Sequence, residues 1–419
     1  MNFQSSDAYY NYLERAKVPQ GFAFACAETR FTPAQRPQSG VQTMNLAAIV
    51  SSEPDTILAG LTTSNRVVGA PVVLARRALR RGRARGCIVN NRVANVAVAD
   101  ALDASATVAA AAAAQFGLSP DELLPVSTGV IGWSLPVDRM VEQIGTMTLG
   151  EANPLQVASA IMTTDRYPKA AWIETGGARI LAFAKGAGMI EPNMRTMLVF
   201  VLTDAVVQRS VAQRALQRVA GGTVNAITVD GDQSTSDMCL LFANGRSAVR
   251  MDAAGFEGAL AAVLEPLARD IVRNGEGTRH LIEVRVAHAP SSAVANRVAR
   301  QVANSPLVKT AIAGNDPNVG RIVAAVGSAA GRRSRLDRLS IDLCGRSVYR
   351  NGSVLLDAEL ETQLGGLFRA AESDPTLRYP QARDPITIRI DMGHGRRHVV
   401  VYASDLTHEY VSENADYRT

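Results

Sequence analysis

Lysine is nearly missing from this chain: Lys17, Lys169, Lys185 and Lys309 are the only four in 419 residues. Forty of the forty-four basic residues are therefore arginine, and the formal net charge is +5. Such a skew in an alanine-rich chain fits a GC-rich genome, so only bulk charge supports a nucleic-acid reading and no motif joins it. Aromatic residues make up only 5%, yet 47% of the chain is hydrophobic, which excludes disorder. Long apolar runs are also lacking. The stretch from Val108 to Ala114 is among the longest, far below the roughly 18 residues of a membrane span. Four cysteines, Cys26, Cys87, Cys239 and Cys344, stand far apart without a CxxC pair, so neither a zinc cluster nor a disulfide framework is indicated. Met1 to Lys17 has no apolar core of a secretory signal, and a reduced cytoplasm is the expected compartment. The five histidines form no HExxH pair. His394 and His398 read as exposed turn residues, and no metal is expected.

What is present is an alternation of short β-like runs and amphipathic stretches, which predicts a layered α/β protein. Val67 to Leu79 and Gly86 to Val89 read as strand, turn and strand around a basic helix, Arg76 to Arg85, whose charge is best explained as a solvated face. Ala101 to Phe116 predicts a helix stopped by Gly117, and Ser119 to Glu122 an N-cap and first turn of the next. Met197 to Leu202 reads as a buried strand, Met238 to Phe242 as another strand, and Ser210 to Val219 as a helix ended by Gly221 and Gly222. Phe256 to Arg273 predicts a long helix interrupted by Pro266, followed by a strand from Ile282 to His288 and a helix from Ser292 to Val302. Further strands are expected at Leu339 to Leu343, Ile386 to Asp391 and His398 to Tyr402. A composition shift at Asn274 to Arg279 suggests a main body of residues 1–278 and a smaller C-terminal portion of 279–419.

Four segments concentrate Gly, Ser, Thr, Asn and Asp: Ser127 to Gly132, Lys185 to Met189, Asp230 to Asp237 and Gly314 to Asn318. Composition alone makes each an ordinary turn before it makes it a site. None has the spacing of a P-loop or of a dinucleotide fingerprint. A covalent catalyst built from this sequence would need a base other than histidine. A terminal amine beside a threonine hydroxyl is one such solution.

Lys185 to Leu198, KGAGMIEPNMRTML, resembles the KGxGMIxPNMATML segment of the ornithine acetyltransferases, the bifunctional glutamate N-acetyltransferases of arginine biosynthesis. STGVIG (Ser127 to Gly132), IMTTD with PK (Ile161 to Lys169), DGDxSTSD (Asp230 to Asp237) and ANG (Ala243 to Gly245) extend the likeness. So do GEG (Gly275 to Gly277), NSPLVKTA (Asn304 to Ala311), GNDPNxGR (Gly314 to Arg321) and DLTHEYVxxNxxYxT (Asp405 to Thr419). The resemblance covers nearly the whole chain and is strongest to the branch found in antibiotic gene clusters.

The resemblance implies a self-cleaving α/β sandwich of N-terminal-nucleophile type, with the two pieces interleaved and the processed chains paired as α2β2. It implies a cut between Arg195 and Thr196, giving pieces 1–195 and 196–419. Thr196 would be nucleophile and, through its new α-amine, base. Thr128 and Gly129 would form the oxyanion hole. Thr163, Lys185, Thr196, Glu276, Asn414 and Thr419 would bind substrate. The reaction implied is acetyl transfer from N2-acetyl-L-ornithine to L-glutamate without metal or redox cofactor, with acetyl-CoA a second donor to consider. An amidohydrolase using the same threonine and an uncleaved non-catalytic paralogue are the alternatives. Arg195 stands where the family has alanine, Val319 where tryptophan is common, and Asn90 to Ala99 departs from NSGNANACTG.

Overall fold

The computed structural model describes residues 3–191, 197–331 and 334–416. In chain order the strands are β1 (Phe22–Phe31), β2 (Gln42–Ser51), β3 (Ile57–Thr62), β4 (Gly86–Asn90), β5 (Leu123–Ser127), β6 (Lys169–Thr175), β7 (Ala178–Lys185) and β8 (Leu198–Thr203). They continue with β9 (Ile227–Thr228), β10 (Met238–Ala243), β11 (Leu281–Ala289), β12 (Ser340–Leu343), β13 (Arg346–Arg350), β14 (Ser353–Val354), β15 (Ile386–Asp391) and β16 (Arg397–Ser404). Three sheets result, ordered β1-β2-β4-β5, β3-β10-β8-β7-β6 and β14-β13-β12-β15-β11-β16-β9.

Side-chain alternation along the central strands sets the layers. Leu198, Phe200 and Leu202 of β8 point into one core with Phe24, Ala47 and Ile49 of the four-stranded sheet. Val199 and Val201, one residue out of phase, enter a second core against the helices Arg209–Gly222 and Ala253–Arg273. A residue in a strand faces opposite its neighbour, so an uninterrupted apolar run is what a strand buried on both faces requires. Ala25, Leu46, Ala48 and Ile88 carry the outer face of the four-stranded sheet onto the helix Ala101–Gln115. The order is helix, sheet, sheet, helix, a layered α/β sandwich as expected. The seven-stranded sheet builds its own core with the helices Ser292–Asn304, Val319–Ala330 and Ala358–Ala371. Val319 is buried in that core.

Four local expectations fail for identifiable reasons. Residues 70–79 are not strand: a helix runs Ala70–Arg81, opened by Pro71 in its first turn and closed by Gly82 in the left-handed region. Its arginines are not all a solvated face, because Arg76 donates to Thr62 Oγ1 and the Thr63 carbonyl, and the nearby Arg85 to the carbonyls of Ser51 and Ser52. Ser119 to Glu122 forms a turn that enters β5, its ends tied by Glu122 N to the Ser119 carbonyl at 3.0 Å. Pro266 does not interrupt its helix, which is continuous from Ala253 to Arg273 because Leu264, Leu267 and Ala268 around it are packed in the core. Among the described residues no helix is long and apolar enough to cross a membrane.

Candidate active site

Three of the four glycine- and hydroxyl-rich segments, Ser127 to Gly132, Lys185 to Met189 and Asp230 to Asp237, lie where strands of the two stacked sheets end or begin, whereas Gly314 to Asn318 joins the helices Pro306–Ala313 and Val319–Ala330. Thr128 and Gly129 follow β5, and Gly129 sits at φ +125°, where L side chains are rarely tolerated. A Cβ there would stand 2.2 Å from the backbone carbon of Arg92. The contact is made by the segment that departs from the family pattern. Thr128 N donates to the Asn90 carbonyl at 3.1 Å and Val130 N to the Arg92 carbonyl at 2.9 Å. Asn90 to Asn95 thus forms the wall behind the turn. Asn91 Nδ2 then reaches the Met162 carbonyl at 2.8 Å, which ties that wall to the segment holding Thr163.

Lys185 ends β7, and its Nζ lies 3.3 Å from Thr163 Oγ1. Beneath both is a residue the sequence reasoning passed over. Asp165, fully enclosed, accepts from Thr163 N at 2.9 Å, Gly186 N at 2.9 Å and Lys169 Nζ at 2.5 Å. Burial alone would raise its carboxyl, but Lys169 and Lys185 together with these hydrogen bonds hold it at about 2. A carboxylate fixed by two backbone amides and a buried ammonium is a rigid pedestal under Lys185. Its signal was its place in IMTTD ahead of a lysine pair partner.

Glu276 N donates to the Ala187 carbonyl at 3.0 Å, and its Oε2 accepts from Asn414 Nδ2 at 2.9 Å. A side chain at Gly188 would meet Glu276 Oε2 at 2.3 Å, so the carboxylate lies directly on the glycine strap. Asp230 pins the same strap from the other side, accepting from Met189 N at 2.6 Å and Ile190 N at 2.8 Å. Four predicted residues, Thr163, Lys185, Glu276 and Asn414, are therefore joined through the Lys185–Met189 segment. Thr128 and Gly129 connect to them through Asn91 and Met162. Arg195, Thr196 and Thr419 lie outside the described residues. Met197, covalently next to Thr196, has φ +124°, a conformation that costs an L residue roughly 1–3 kcal/mol. His394 Nε2 is bound to Asp337 at 2.8 Å, and among the described residues no His, Cys, Asp and Glu group is arranged to hold a metal ion.

A family model, the ArgJ family, matches residues 34–419. The chain belongs to that family. The arginine biosynthesis bifunctional protein ArgJ of Nitratidesulfovibrio vulgaris is 40% identical over 412 residues, covering 96% of this chain and 99% of that protein. The glutamate N-acetyltransferase Oat2 of Streptomyces clavuligerus is 38% identical over 410 residues, with 96% and 98% covered. Among solved structures, a chain of the arginine biosynthesis bifunctional protein from Bacillus halodurans is 33% identical, with a TM-score of 0.47, covering 53% of this chain and 100% of that one.

Proposed function

We propose that this chain is a self-cleaving acetyltransferase that carries acetyl from N2-acetyl-L-ornithine, or a related N-acetyl amino acid, to L-glutamate. The observation that carries the reading is the Lys185 and Thr163 pair linked through the glycine strap to Glu276 and Asn414: a cation for an α-carboxylate and a carboxylate for a side-chain amine. Family membership and the acetyltransferase named among its relatives support it.

After the cut at Arg195–Thr196, the α-amine of Thr196 has an ordinary pKa of about 7.7–8.0, so a working fraction is neutral near pH 7. It takes the Oγ proton as Oγ attacks the acetyl carbonyl of the donor. The oxyanion is held by the Thr128 hydroxyl and the Gly129 N–H, each worth about 3–4 kcal/mol. Collapse breaks the C–N bond, the proton goes to the departing amine, and acetyl-Thr196 remains. The glutamate amine attacks this ester, and the proton it sheds restores the Oγ–H. Thr419 completes the substrate contacts, and the processed chains pair as α2β2 in the cytoplasm.

Intact-mass measurement of the purified protein is expected to show pieces 1–195 and 196–419, and Thr196→Ala a single inactive chain. Activity surviving Thr196→Ala sinks the mechanism. Acetylornithine supplied with and without glutamate separates transfer from hydrolysis, since free acetate formed without acceptor identifies an amidohydrolase. A chain that stays uncut and inert identifies the non-catalytic paralogue.

A further inference from the structure

Two of the four lysines in this chain, Lys169 and Lys309, are buried, and each stands behind one end of the glycine strap. Burying an ammonium is costly unless it is bonded, so what each one holds is informative. Lys169 holds Asp165, whose carboxylate accepts Gly186 N at the near end. Lys309 belongs to the helix Pro306–Ala313, in the C-terminal portion, and its Nζ donates to the Val229 carbonyl and to Ser404 Oγ at 3.2 Å. Ser404 Oγ donates to the same Val229 carbonyl at 3.1 Å. Val229 and Asp230 in turn grip the far end. Val229 N donates to the Ile190 carbonyl at 2.7 Å, and the Asp230 carboxylate accepts Met189 N and Ile190 N. The strap is thus stretched between two posts, each a carboxylate backed by a buried lysine.

We infer that the strap is a ruler for the donor and that Asp230 and Lys309 are the positioning residues that hold it at length, an inference that rests on the acetyl-transfer reading above. Both charged grips hang on these few residues. Lys185, for the α-carboxylate, is the first of them. Glu276, for the side-chain ammonium, donates its N–H to the Ala187 carbonyl at 3.0 Å and lays its carboxylate where a side chain at Gly188 would stand. The span between the grips therefore cannot adapt without moving the strap. One methylene more or less in the donor leaves the amine beyond the carboxylate or short of it, and an ion drawn from water without its partner costs more than a methylene gains. The site accepts an N2-acetylated diamino acid of ornithine's chain length and rejects its nearest homologues.

Two features of the far post suit the role. Burial pulls the Lys309 ammonium down to about 8, and Asp405, Asp230 and Glu191 keep it from falling further, so it is charged at neutral pH. Ser404 ends β16 of the seven-stranded sheet, so the span is referred to the C-terminal portion, outside the two stacked sheets that carry Thr128 and Lys185.

The test compares kcat/KM of the purified full-length protein for N2-acetyl-L-ornithine, N2-acetyl-L-lysine and the N2-acetylated diaminobutyrate, at neutral pH with L-glutamate as acceptor, by release of the free diamino acid. Wild type is expected to favour acetylornithine over either homologue on the order of a hundredfold. Lys309→Met and Asp230→Asn are expected to bring that ratio below about tenfold, chiefly by raising KM for acetylornithine while the homologues lose little. A lysine or aspartate that merely stabilises the fold would lower all three donors together. An unchanged ratio in the folded variants therefore overturns the proposal, and so does a wild type without preference for chain length. Should Lys309→Met melt early, folded Asp230→Asn decides by the same ratio. A wild-type protein that releases no diamino acid from any donor removes the acetyl-transfer reading itself, an outcome distinct from transfer indifferent to chain length.

Discussion

Gly129 shows how much a single residue can be asked to do. Its φ of +125° and the 2.2 Å approach of the Arg92 backbone leave no room for a side chain. Gly129→Ala therefore has to move either the turn or the wall behind it. We expect it to cost about 1–3 kcal/mol of stability and to lower kcat far more than KM, because the displaced amide meets charge that exists only in the transition state. Steady-state kinetics alongside a urea melt checks both halves, and a normal kcat would show that this amide is not an oxyanion donor. The same wall explains why the altered Asn90 to Ala99 segment is compatible with the turn. Asn90 and Arg92 contribute backbone carbonyls to it, Arg92 from a φ of +72°.

At the scale of elements, Asp165 joins pieces that would otherwise meet only by packing. It links the start of β6 through Lys169, the end of β7 through Gly186 and the end of the helix Ala253–Arg273 through Asn274 Nδ2 at 3.4 Å. Its folded pKa of about 2 lies below the ordinary aspartate value near 3.9. A depressed acid contributes stability that is present above the unfolded pKa and lost as pH falls through the folded one. The contribution should therefore hold above roughly pH 4 and disappear towards pH 2. Asp165→Asn leaves the Lys169 ammonium buried without its partner and should cost about 3–5 kcal/mol at pH 7. Urea denaturation of both proteins across this pH range is the check. Equal stability at pH 7 would contradict the role given to the pair.

The whole molecule is arranged so that a cut need not part it. In the five-stranded sheet, β3, β7 and β6 precede Arg195, whereas β10 and β8 follow it. β8 is hydrogen-bonded to β7 on one side and to β10 on the other, with β3 beyond β10. Both faces of this sheet are covered by core. Pieces 1–195 and 196–419 should elute together in gel filtration and separate only in denaturant. Separate elution under native conditions would be incompatible with this sheet order.

Much of this was legible from the residues. The uninterrupted run MLVFVL announced a buried strand and MCLLF another strand, and the cores show both packed on their two faces. The ordered motifs led to Thr163, Lys185, Glu276 and Asn414, which the fold does connect. The basic helix expected at Arg76 to Arg85 is found shifted to Ala70–Arg81; its first half was missed because Val67, Val68, Val72 and Val73 mimic a strand locally, while Pro71 and Gly82 signal its ends only once the sheets have claimed their strands. Asp165 was passed over, despite its place in IMTTD ahead of Lys169, because an aspartate in a Thr-rich turn reads first as a turn former.

The sequence by itself determined the alternation of elements, the buried strand at Met197 to Leu202 and the membership of the ArgJ family. These follow from local periodicity and from motifs whose order survives without coordinates. Only the tertiary structure decided which loops meet and that Asp165 is a pedestal under Lys185. Those facts depend on burial and on strand pairings between distant segments, such as the parallel β8 and β10, which are separated in the chain by a helix, the short strand β9 and a turn. A carboxylate has one character in water and another in an enclosed site beside a lysine, and no stretch of sequence specifies which surroundings it will have.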